Sequence, residues 1–312
     1  MAKRKVIIDC DPGHDDIMAI LSCMANPEEI EILGYTTVCG NNLAKQVTRN
    51  LCQVLSVLGV EGKVAMGYEE PLLLKPEPQS AHGVTGLDGP TFPEPTVEPI
   101  KEHALEFMRQ CLEESDQKVT IIALAPLTNV AMLLKTYPHL KDKIELITMM
   151  GGSLYSGNIL PKAEFNMYAD PHAAKIVFES GVPLALSAIE ICNELAIRHS
   201  EIETLKGQGK VSQLAYELLY FFAGWWRERG IDTSPIFDLV PVMHLLHPEL
   251  FETAMYPMYI VTEGAYTRGM TVLDEWTRNP ELCNVEVLMH GDRDRFIHYF
   301  MEDLKRLDKM YS

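Results

Sequence analysis

Short apolar runs alternate with amphipathic segments through the first part of the chain. The run at residues 6–8 is followed by a polar turn at 9–16 and by residues 17–25, whose apolar positions are spaced three and four apart, as on one face of a helix. The same alternation predicts strands at 30–38, 119–124, 144–149 and 182–186, and helices at 43–58, 103–114, 129–135 and 171–179. Strands separated by helices indicate a mainly parallel sheet, and strands that are largely apolar indicate helices on both faces. The pattern therefore predicts an α/β fold, with an open sheet flanked by helices.

The pattern changes in the rest of the chain. Residues 69–99 are rich in proline, glycine and acidic residues, which predicts a long loop, and loops of that length are usually functional or mobile. After residue 200 we predict helices at 201–206 and 211–229, strands near 258–261 and 285–289, and a terminal helix at 295–307. The sequence contains no recognisable repeat or linker. We therefore predict a single domain over residues 1–312, with a helical subregion over the C-terminal ends of the strands.

The composition is that of a globular, enzyme-sized protein. Of the 312 residues, 47% are hydrophobic and 23% are charged, which excludes a mainly disordered chain. The 27 basic and 44 acidic side chains give a net charge of −17, which argues against a nucleic acid polymer as partner, because proteins that bind one present a basic face. No apolar run approaches the roughly 18 residues that span a membrane. The seven cysteines contain no Cys-x-x-Cys pair and indicate reduced thiols, so we predict a cytoplasmic protein that acts on a small molecule.

Four carboxylates lie close together directly after the first predicted strand. Asp9, Asp11, Asp15 and Asp16 fall within eight residues, and such clustered charge is hard to bury without a cation. Oxygen ligands favour Ca²⁺ or Mg²⁺ over zinc, and the Pro-Gly turn within the cluster would let Asp11 approach the later pair. The alternative is that Asp15 and Asp16 only cap the following helix. Since one carboxylate suffices for a cap, the cluster favours a metal site.

Other polar residues follow later predicted strands. Gly40-Asn41-Asn42 comes after the second strand, Pro126-Leu127-Thr128-Asn129 after the strand at 119–124, and Gly151-Gly152 after the strand at 144–149. Ligands of open parallel sheets bind outside the carboxyl ends of the strands. We therefore expect these residues to share one site with the aspartates.

These residues, in this order, resemble the inosine–uridine-preferring nucleoside hydrolase family. The similarity runs from residue 5 to about residue 300 and is most specific in Asp9-Cys10-Asp11-Pro12-Gly13-His14-Asp15-Asp16. The other matching motifs are Thr36-Thr37-Val38-Cys39-Gly40-Asn41, His82-Gly83 with Gly86-Leu87-Asp88-Gly89, Pro126-Leu127-Thr128-Asn129-Val130-Ala131, Met149-Met150-Gly151-Gly152, and Ala163-Glu164-Phe165-Asn166 with Asp170-Pro171. The resemblance implies a Ca²⁺-dependent enzyme that cleaves the N-glycosidic bond of ribonucleosides with water. It also implies a homodimer or homotetramer.

The resemblance further implies roles for individual residues. Asp11 would be a metal ligand and the general base that activates the attacking water. The other metal ligands would be Asp16, the backbone carbonyl of Thr128, and Asp238, and the ribose hydroxyls would be held by Asp15, Asn158, Glu164 and Asn166, with Asn41 behind them. Carboxylates around the sugar suit this reaction, because glycoside cleavage passes through an oxocarbenium-like cation. Without the resemblance, Asn41 could form a turn, Glu164 and Asn166 could be solvated loop residues, and Asp238 could cap a helix.

One position departs from the family pattern. Where members commonly have His-Asp, with the histidine near the nucleobase, this chain has Phe237-Asp238, and a phenyl ring cannot transfer a proton. The candidate contacts to the base are Phe222, Trp225, Trp226, Phe237 and His82 from the long loop. Aromatic residues on a helix are usually core, but stacking on a base is worth about 1–3 kcal/mol. His14, inside the first motif, either takes part in the site or faces solvent.

Three explanations for the missing histidine stay open. His82 or another loop group acts in its place, stacking raises the proton affinity of the base, or the enzyme acts on a different ribosyl bond or only slowly. Two other classes of function compete. Asp9-x-Asp11 also occurs in haloacid dehalogenase-like phosphatases, although Pro12-Gly13 departs from their pattern. A nucleoside- or ribosyl-binding protein of weak activity would explain Phe237, but it would not need Asp11.

Overall fold

The computed structural model describes residues 3–277 and 279–311 of the chain. Its strands are β1 (Arg4–Cys10), β2 (Ile30–Thr37), β3 (Val64–Met66), β4 (Val119–Ala123), β5 (Ile144–Met150), β6 (Leu184–Ser187), β7 (Ile197–Arg198), β8 (Thr233–Ser234), β9 (Phe251–Tyr256), β10 (Met258–Ile260), β11 (Thr271–Leu273) and β12 (Val285–Gly291). The extent of a single domain over residues 1–312 stays a prediction, and residues 1, 2, 278 and 312 of that range lie outside the described residues.

The helices are α1 (His14–Ala25), α2 (Ala44–Leu58), α3 (Ala104–Glu114), α4 (Thr128–Thr136), α5 (Phe165–Ala169), α6 (Pro171–Phe178), α7 (Ile189–Glu194), α8 (His199–Glu203), α9 (Lys210–Phe222), α10 (Gly224–Arg227), α11 (Leu239–Leu246) and α12 (Arg293–Met310). Short 3-10 helices lie at Pro138–Lys143, Pro248–Leu250 and Pro280–Leu282. In the residues that the structure describes, no helix combines the length and the apolar character needed to cross a membrane.

The strands confirm the predicted α/β fold. In the described part of the chain, eight strands form a sheet in the order β3-β2-β1-β4-β5-β6-β12-β9, which is parallel except for β9. The order reverses at β1, because β2 and β3 lie on one side of it and β4, β5 and β6 on the other. Open α/β sheets bind ligands beyond the carboxyl ends of the strands at such a switch point. The fold therefore directs attention to the ends of β1 and β4.

Both faces of the sheet are covered. Val6 and Ile8 of β1 belong to a core cluster with residues of α1, α2, α9, α11 and α12, whereas Ile7 belongs to a second cluster with residues of α3, α4 and α6. Successive side chains of a strand point to opposite faces, so each face of β1 contacts its own layer of helices. This is why these strands are apolar at consecutive positions rather than at alternate ones.

The structure tests the predictions of a polar turn after the first strand and of a long loop. The polar turn predicted at 9–16 is shorter, because Asp9 belongs to β1 and α1 already begins at His14. The predicted long loop is confirmed, since residues 67–103, all of them described, form neither helix nor strand. The carboxylates of Asp15 and Asp16 therefore lie in the first turn of a helix.

Later in the chain the structure corrects two further predictions. The helix predicted at 211–229 is divided, because α9 ends at Phe222 and α10 starts at Gly224. The strand predicted near 258–261 is present as β10, but it pairs with β11 outside the large sheet. The antiparallel edge strand β9 was not predicted. Helices α7 to α11 form the predicted helical subregion between β6 and β9.

Candidate active site

The turn between β1 and α1 is held by the side chain of Asp16. Its Oδ1 accepts a hydrogen bond from the Asp11 amide at 3.1 Å, and its Oδ2 accepts one from the Gly13 amide at 2.9 Å. Gly13 is the N-cap residue of α1, so the second bond closes a capping interaction at the helix start. The capping alternative thus explains part of what Asp16 does, but it explains neither Asp11 nor Asp15.

Asp11 is fixed from the end of β2. The Asn41 amide donates to Asp11 Oδ2 at 2.6 Å, and the Asn41 side chain donates to the Asp11 carbonyl at 3.2 Å. A Cβ atom on Gly40 would lie 1.9 Å from Asp11 Oδ2, so this close approach requires glycine. The other carboxylate oxygen, Asp11 Oδ1, is buried and has no hydrogen-bond partner among the described residues.

Three buried carboxylates converge below the turn. Oxygen atoms of Asp15, Asp16 and Asp238 all lie within 4.8 Å of one another. Asp15 Oδ1 and Asp238 Oδ1 are buried without a hydrogen-bond partner among the described residues. Asp238 stands at the N-cap position of α11, yet its side chain makes no capping hydrogen bond, so the structure does not support a capping role.

The electrostatics of this cluster call for a compensating positive charge. Burial raises the pKa of Asp11, Asp15, Asp16 and Asp238, and the carboxylates of the cluster raise the pKa of Asp11, Asp15 and Asp238 further. Ionised carboxylates in such a position need a cation. Because the available donors are carboxylate oxygens, the residues fit a hard divalent cation better than a soft metal.

Asp9 and Thr128 occupy positions next to the cluster. Asp9 Oδ1 accepts hydrogen bonds from the Thr36 hydroxyl at 2.6 Å and from the Asn129 side chain at 2.7 Å, so Asp9 links β1, β2 and α4 and lies outside the cluster of three. The Thr128 hydroxyl donates to Asp170 Oδ2 at 2.8 Å. The ligand role of the Thr128 carbonyl stays a prediction.

A cleft of about 890 Å³ opens above the carboxylates. Most of the predicted site residues line it, namely Asp15, Asn41, His82, Asn158, Glu164, Asn166, Phe222, Trp225, Trp226, Phe237 and Asp238. Asp11, Asp16 and Thr128 are buried but do not belong to this lining, so they lie behind it. The structure thus brings together residues from both ends of the sequence.

One wall of the cleft is polar. Glu164 accepts hydrogen bonds from the amides of Gly152 at 2.8 Å, Asn166 at 2.7 Å and Met167 at 3.2 Å, and burial raises its pKa to about 7. The Asn166 side chain donates to the Leu124 carbonyl at 2.9 Å. Both side chains are buried, so the alternative that they are solvated loop residues is wrong. Asn158 is more exposed and lies in the segment between β5 and α5.

Another part of the cleft lining, called here the aromatic wall, consists of aromatic rings. The ring centroids of Phe222 and Trp226 are 5.1 Å apart, and those of Trp226 and Phe237 are 6.5 Å apart. Phe237 directly precedes Asp238, so the aromatic wall meets the carboxylate cluster at this point. Trp225 is half exposed and lies 5.2 Å from Trp226 at the rim. These rings line a cleft and so are not purely core residues.

Two buried histidines meet beside the aromatic wall. His14 Nε2 lies 2.7 Å from the Asp88 carbonyl, which only accepts, so this nitrogen carries a proton. Burial lowers the pKa of His14 to about 4, and His14 Nδ1 lies 2.9 Å from His82 Nδ1. The His14 amide donates a hydrogen bond to the same His82 nitrogen at 3.3 Å. His14 is buried, so the alternative that it faces solvent is wrong.

Several lining residues had no signal in the sequence. Asn193 lies in α7, Arg227 is the last residue of α10, and Glu228 directly follows α10. Arg227 stacks on the Tyr220 ring at 3.7 Å and belongs to the rim. The only sequence clue to this rim was its proximity to Trp225 and Trp226.

Comparisons with known proteins agree with this picture. The family model described as inosine-uridine preferring nucleoside hydrolase matches residues 6–298. The chain is 39% identical to the pyrimidine-specific ribonucleoside hydrolase RihA of Photobacterium profundum, over 96% of this chain and 98% of that protein. RihA of Salmonella typhimurium is 38% identical, with the same coverage.

Solved structures give the same result for the fold. A purine-preferring ribonucleoside hydrolase from Gardnerella vaginalis superposes with a TM-score of 0.92 at 27% identity, covering 98% of this chain and 100% of that chain. A plant nucleoside hydrolase superposes with a TM-score of 0.89 at 29% identity, covering 97% and 99%.

Proposed function

The chain belongs to the inosine-uridine preferring nucleoside hydrolase family, and from this premise we propose that it is a Ca²⁺-dependent hydrolase of the N-glycosidic bond of ribonucleosides. That it is a nucleoside hydrolase follows from the family, whereas the cation and the roles of individual residues are our proposal. The observation that carries the proposal is the buried carboxylate cluster beneath a cleft that has one polar and one aromatic wall.

The proposed cation site consists of the carboxylates of Asp11, Asp16 and Asp238 and the carbonyl of Thr128. It is supported by buried carboxylate oxygens that lack hydrogen-bond partners among the described residues, including those of Asp11 and Asp238. Ca²⁺ accepts six to eight oxygen ligands, so this set leaves room for oxygens of the substrate. When bound, the ion would orient the sugar hydroxyls and acidify the attacking water.

The proposed ribose site lies on the cleft side of the same cluster. Asp15 lines the cleft whereas Asp11 and Asp16 do not, which supports a sugar contact for Asp15. Glu164, Asn166 and Asn158 would hold further hydroxyls from the polar wall. Asn41 would act from behind, because its backbone and side-chain amides already hold Asp11.

In the proposed reaction, Asp11 takes a proton from the attacking water. The oxygen of that water forms a bond to the anomeric carbon as the bond to the base breaks, and the electron pair of the broken bond moves to the base. Carboxylates beneath the sugar stabilise its transient positive charge. The fixed orientation of Asp11 suits a base that must act at one position, since a misplaced group loses much of its effect.

For the substrate, we propose pyrimidine ribonucleosides before purine ones. The relatives that share 38–39% identity with the chain are named pyrimidine-specific, whereas the purine-preferring relative shares 27%. A ribosyl-binding protein of weak activity is the second candidate, because Phe237 offers no proton to the base. The homodimer or homotetramer and the cytoplasmic location remain predictions.

The test is release of free ribose from uridine, cytidine, inosine and adenosine, measured with Ca²⁺ and with excess chelator. We expect ribose from at least one nucleoside, and we expect chelator to abolish it and added Ca²⁺ to restore it. Tight nucleoside binding without ribose release would favour the binding protein. Turnover that is unaffected by chelator would contradict the cation proposal but not the hydrolase assignment.

A further inference from the structure

We infer that the preferred substrates are ribosides whose base already carries a positive charge, the N-ribosylpyridinium class. This inference rests on the proposed function, because it concerns the leaving group of the same reaction. The N-glycosidic bond of a neutral nucleoside breaks more easily when an acid protonates the base, and such catalysis typically contributes about 10²–10⁴-fold. A cationic base needs no such acid, because it leaves as a neutral molecule.

The aromatic wall offers no acid where the base would lie. Phe237 directly precedes Asp238, so it stands over the junction between the sugar site and the wall. Phe222 and Trp226 continue the wall, and neither side chain has a proton to transfer to a base nitrogen. Among the described residues that line this wall, the phenyl and indole groups therefore leave the leaving group without a general acid.

His82, at the end of the same wall, is a buried neutral ring. Its ring stacks on Phe222 with centroids 5.0 Å apart, and its Nδ1 accepts a hydrogen bond from the His14 amide at 3.3 Å. Burial lowers the pKa of His82 well below its usual range, so the ring is neutral. A neutral imidazole does not protonate a leaving group, so this end of the wall supplies no general acid either.

The charges around the cleft also favour a cation. Besides the proposed cation ligand Asp238, the acidic residues that line it are Asp15, Glu164 and Glu228, against Arg227 as the permanently charged basic residue among the described lining residues. Arg227 is already stacked on Tyr220, and Arg229 stacks on Trp225 at 3.7 Å. The half-buried rings of Trp226 and Phe237 remain for the substrate, and aromatic faces attract a desolvated organic cation.

The chemical step balances without any further reactant. An N-ribosylpyridinium and water give ribose, the neutral pyridine and one proton. The oxygen of water bonds to the anomeric carbon, and the electron pair of the broken carbon–nitrogen bond neutralises the pyridinium. The proton of the water goes to Asp11, as in the proposed reaction with a neutral nucleoside.

The experiment compares kcat/KM for nicotinamide riboside and for uridine with the purified Ca²⁺-loaded enzyme. The spontaneous hydrolysis of each substrate is subtracted. We expect nicotinamide riboside to exceed uridine by about 10²-fold or more, the contribution of the acid that the wall lacks. Equal or greater kcat/KM for uridine would overturn the inference and leave the proposed function standing. Turnover of neither substrate, nor of inosine, would overturn both.

The variant Phe237→His separates this explanation from the greater intrinsic lability of a pyridinium riboside. Intrinsic lability is the same for every variant, so it cancels when the substrate ratio of the variant is compared with that of the parent. We expect Phe237→His to raise kcat for uridine and to lower the ratio of nicotinamide riboside to uridine at least about tenfold. Phe237→Leu is the matched control, since it removes the ring without adding a proton donor, and it should not raise kcat for uridine. An unchanged ratio in Phe237→His would overturn the inference.

Discussion

Asp9 and Asp11 are separated by one residue but have different surroundings. Asp9 Oδ1 is occupied by Thr36 and Asn129, and burial raises the pKa of Asp9 to about 7. Asp11 accepts a hydrogen bond only at Oδ2, while its Oδ1 has no partner among the described residues. Asp9 Oδ2 is also buried without a partner in the described part of the chain, so the difference between the two residues lies in their neighbours. Asp9 is held by side chains of β2 and α4, whereas Asp11 lies beside Asp16 at the proposed cation site.

The substitution Asp11→Asn tests this difference. It keeps the shape of the side chain but removes the base, so we expect kcat for uridine to fall by about 10²- to 10⁴-fold, the usual contribution of a positioned base. The measurement is ribose release at saturating substrate and Ca²⁺.

Asp9→Asn is the matched control, with the same chemical change two positions earlier. Its Oδ1 can still accept from Thr36 and Asn129, so we expect a fall in kcat of less than about tenfold. Equal losses in the two variants would show that Asp11 acts only through the stability of the turn.

At the level of single residues, the sequence predicted which side chains lie together where one motif contained them. The string from Asp9 to Asp16 contains two of the three clustered carboxylates, Asp15 and Asp16, and the structure brings Asp238 to them. It did not reveal that Asp9 lies outside this cluster, because the contacts of Asp9 with Thr36 and Asn129 depend on how β1 packs beside β2 and α4. Nor did it reveal the contact between His14 and His82, which depends on how the long loop folds over α1.

Among the secondary-structure elements, the contact between α1 and α12 contains a buried acid outside the active site. Asp303 of α12 accepts a hydrogen bond at 2.9 Å from the side chain of Asn26, the C-cap residue of α1. Its Oδ2 has no hydrogen-bond partner among the described residues. Burial raises the pKa of Asp303 from 3.8 to about 6.

This raised pKa makes the contact sensitive to pH. Between about pH 4 and pH 6 Asp303 keeps its proton in the folded protein but loses it in the unfolded chain. The free energy of unfolding therefore decreases as pH rises through this range. At about 1.4 kcal/mol per pKa unit, the loss is at most about 3 kcal/mol. We expect Asp303→Asn to gain stability relative to the parent as pH rises from 4 to 7, measured by urea unfolding at each pH.

Glu302→Gln, on the same helix, is the control. Glu302 is exposed at this position and its partner is Lys305, so the stability of this variant relative to the parent should not rise in the same way. Parallel curves for Asp303→Asn and the parent across this range would contradict the assignment of the effect to Asp303.

The elements themselves were predictable to the extent that local pattern determined them. The strands β1, β2, β4, β5 and β6 are buried on both sides and stood out as apolar runs. β9 did not, because all of its residues are exposed or half-buried, and such an edge strand carries a weaker signal than a buried one. The division of the helix at Ala223 also escaped prediction. Its apolar spacing continues through the break, and the low helix propensity of Gly224 was the only local sign.

For the whole molecule, the carboxylate cluster joins parts of the chain that are distant in sequence. Asp15 and Asp16 belong to α1, whereas Asp238 precedes α11, and both helices belong to the same core cluster. A cation bound here would connect these parts in the folded state only, and it would relieve repulsion in a protein whose net charge is −17. A ligand that binds only the folded state stabilises it, by about 2.7 kcal/mol at a hundred times its Kd.

We therefore expect Ca²⁺ to raise the melting temperature and chelator to lower it, measured by calorimetry at fixed ionic strength. Asp238→Asn should lose most of this response, and in chelator it should be at least as stable as the parent, because it removes one of several repelling buried charges. Asp274→Asn is the control, since it makes the same change of net charge at a turn outside the cluster and should keep the full response. If Mg²⁺ stabilised the protein more than Ca²⁺ at equal concentration, the assignment of Ca²⁺ would be wrong. If Asp238→Asn and Asp274→Asn responded alike, the stabilisation would come from screening of the net charge, and the cluster would not be the binding site.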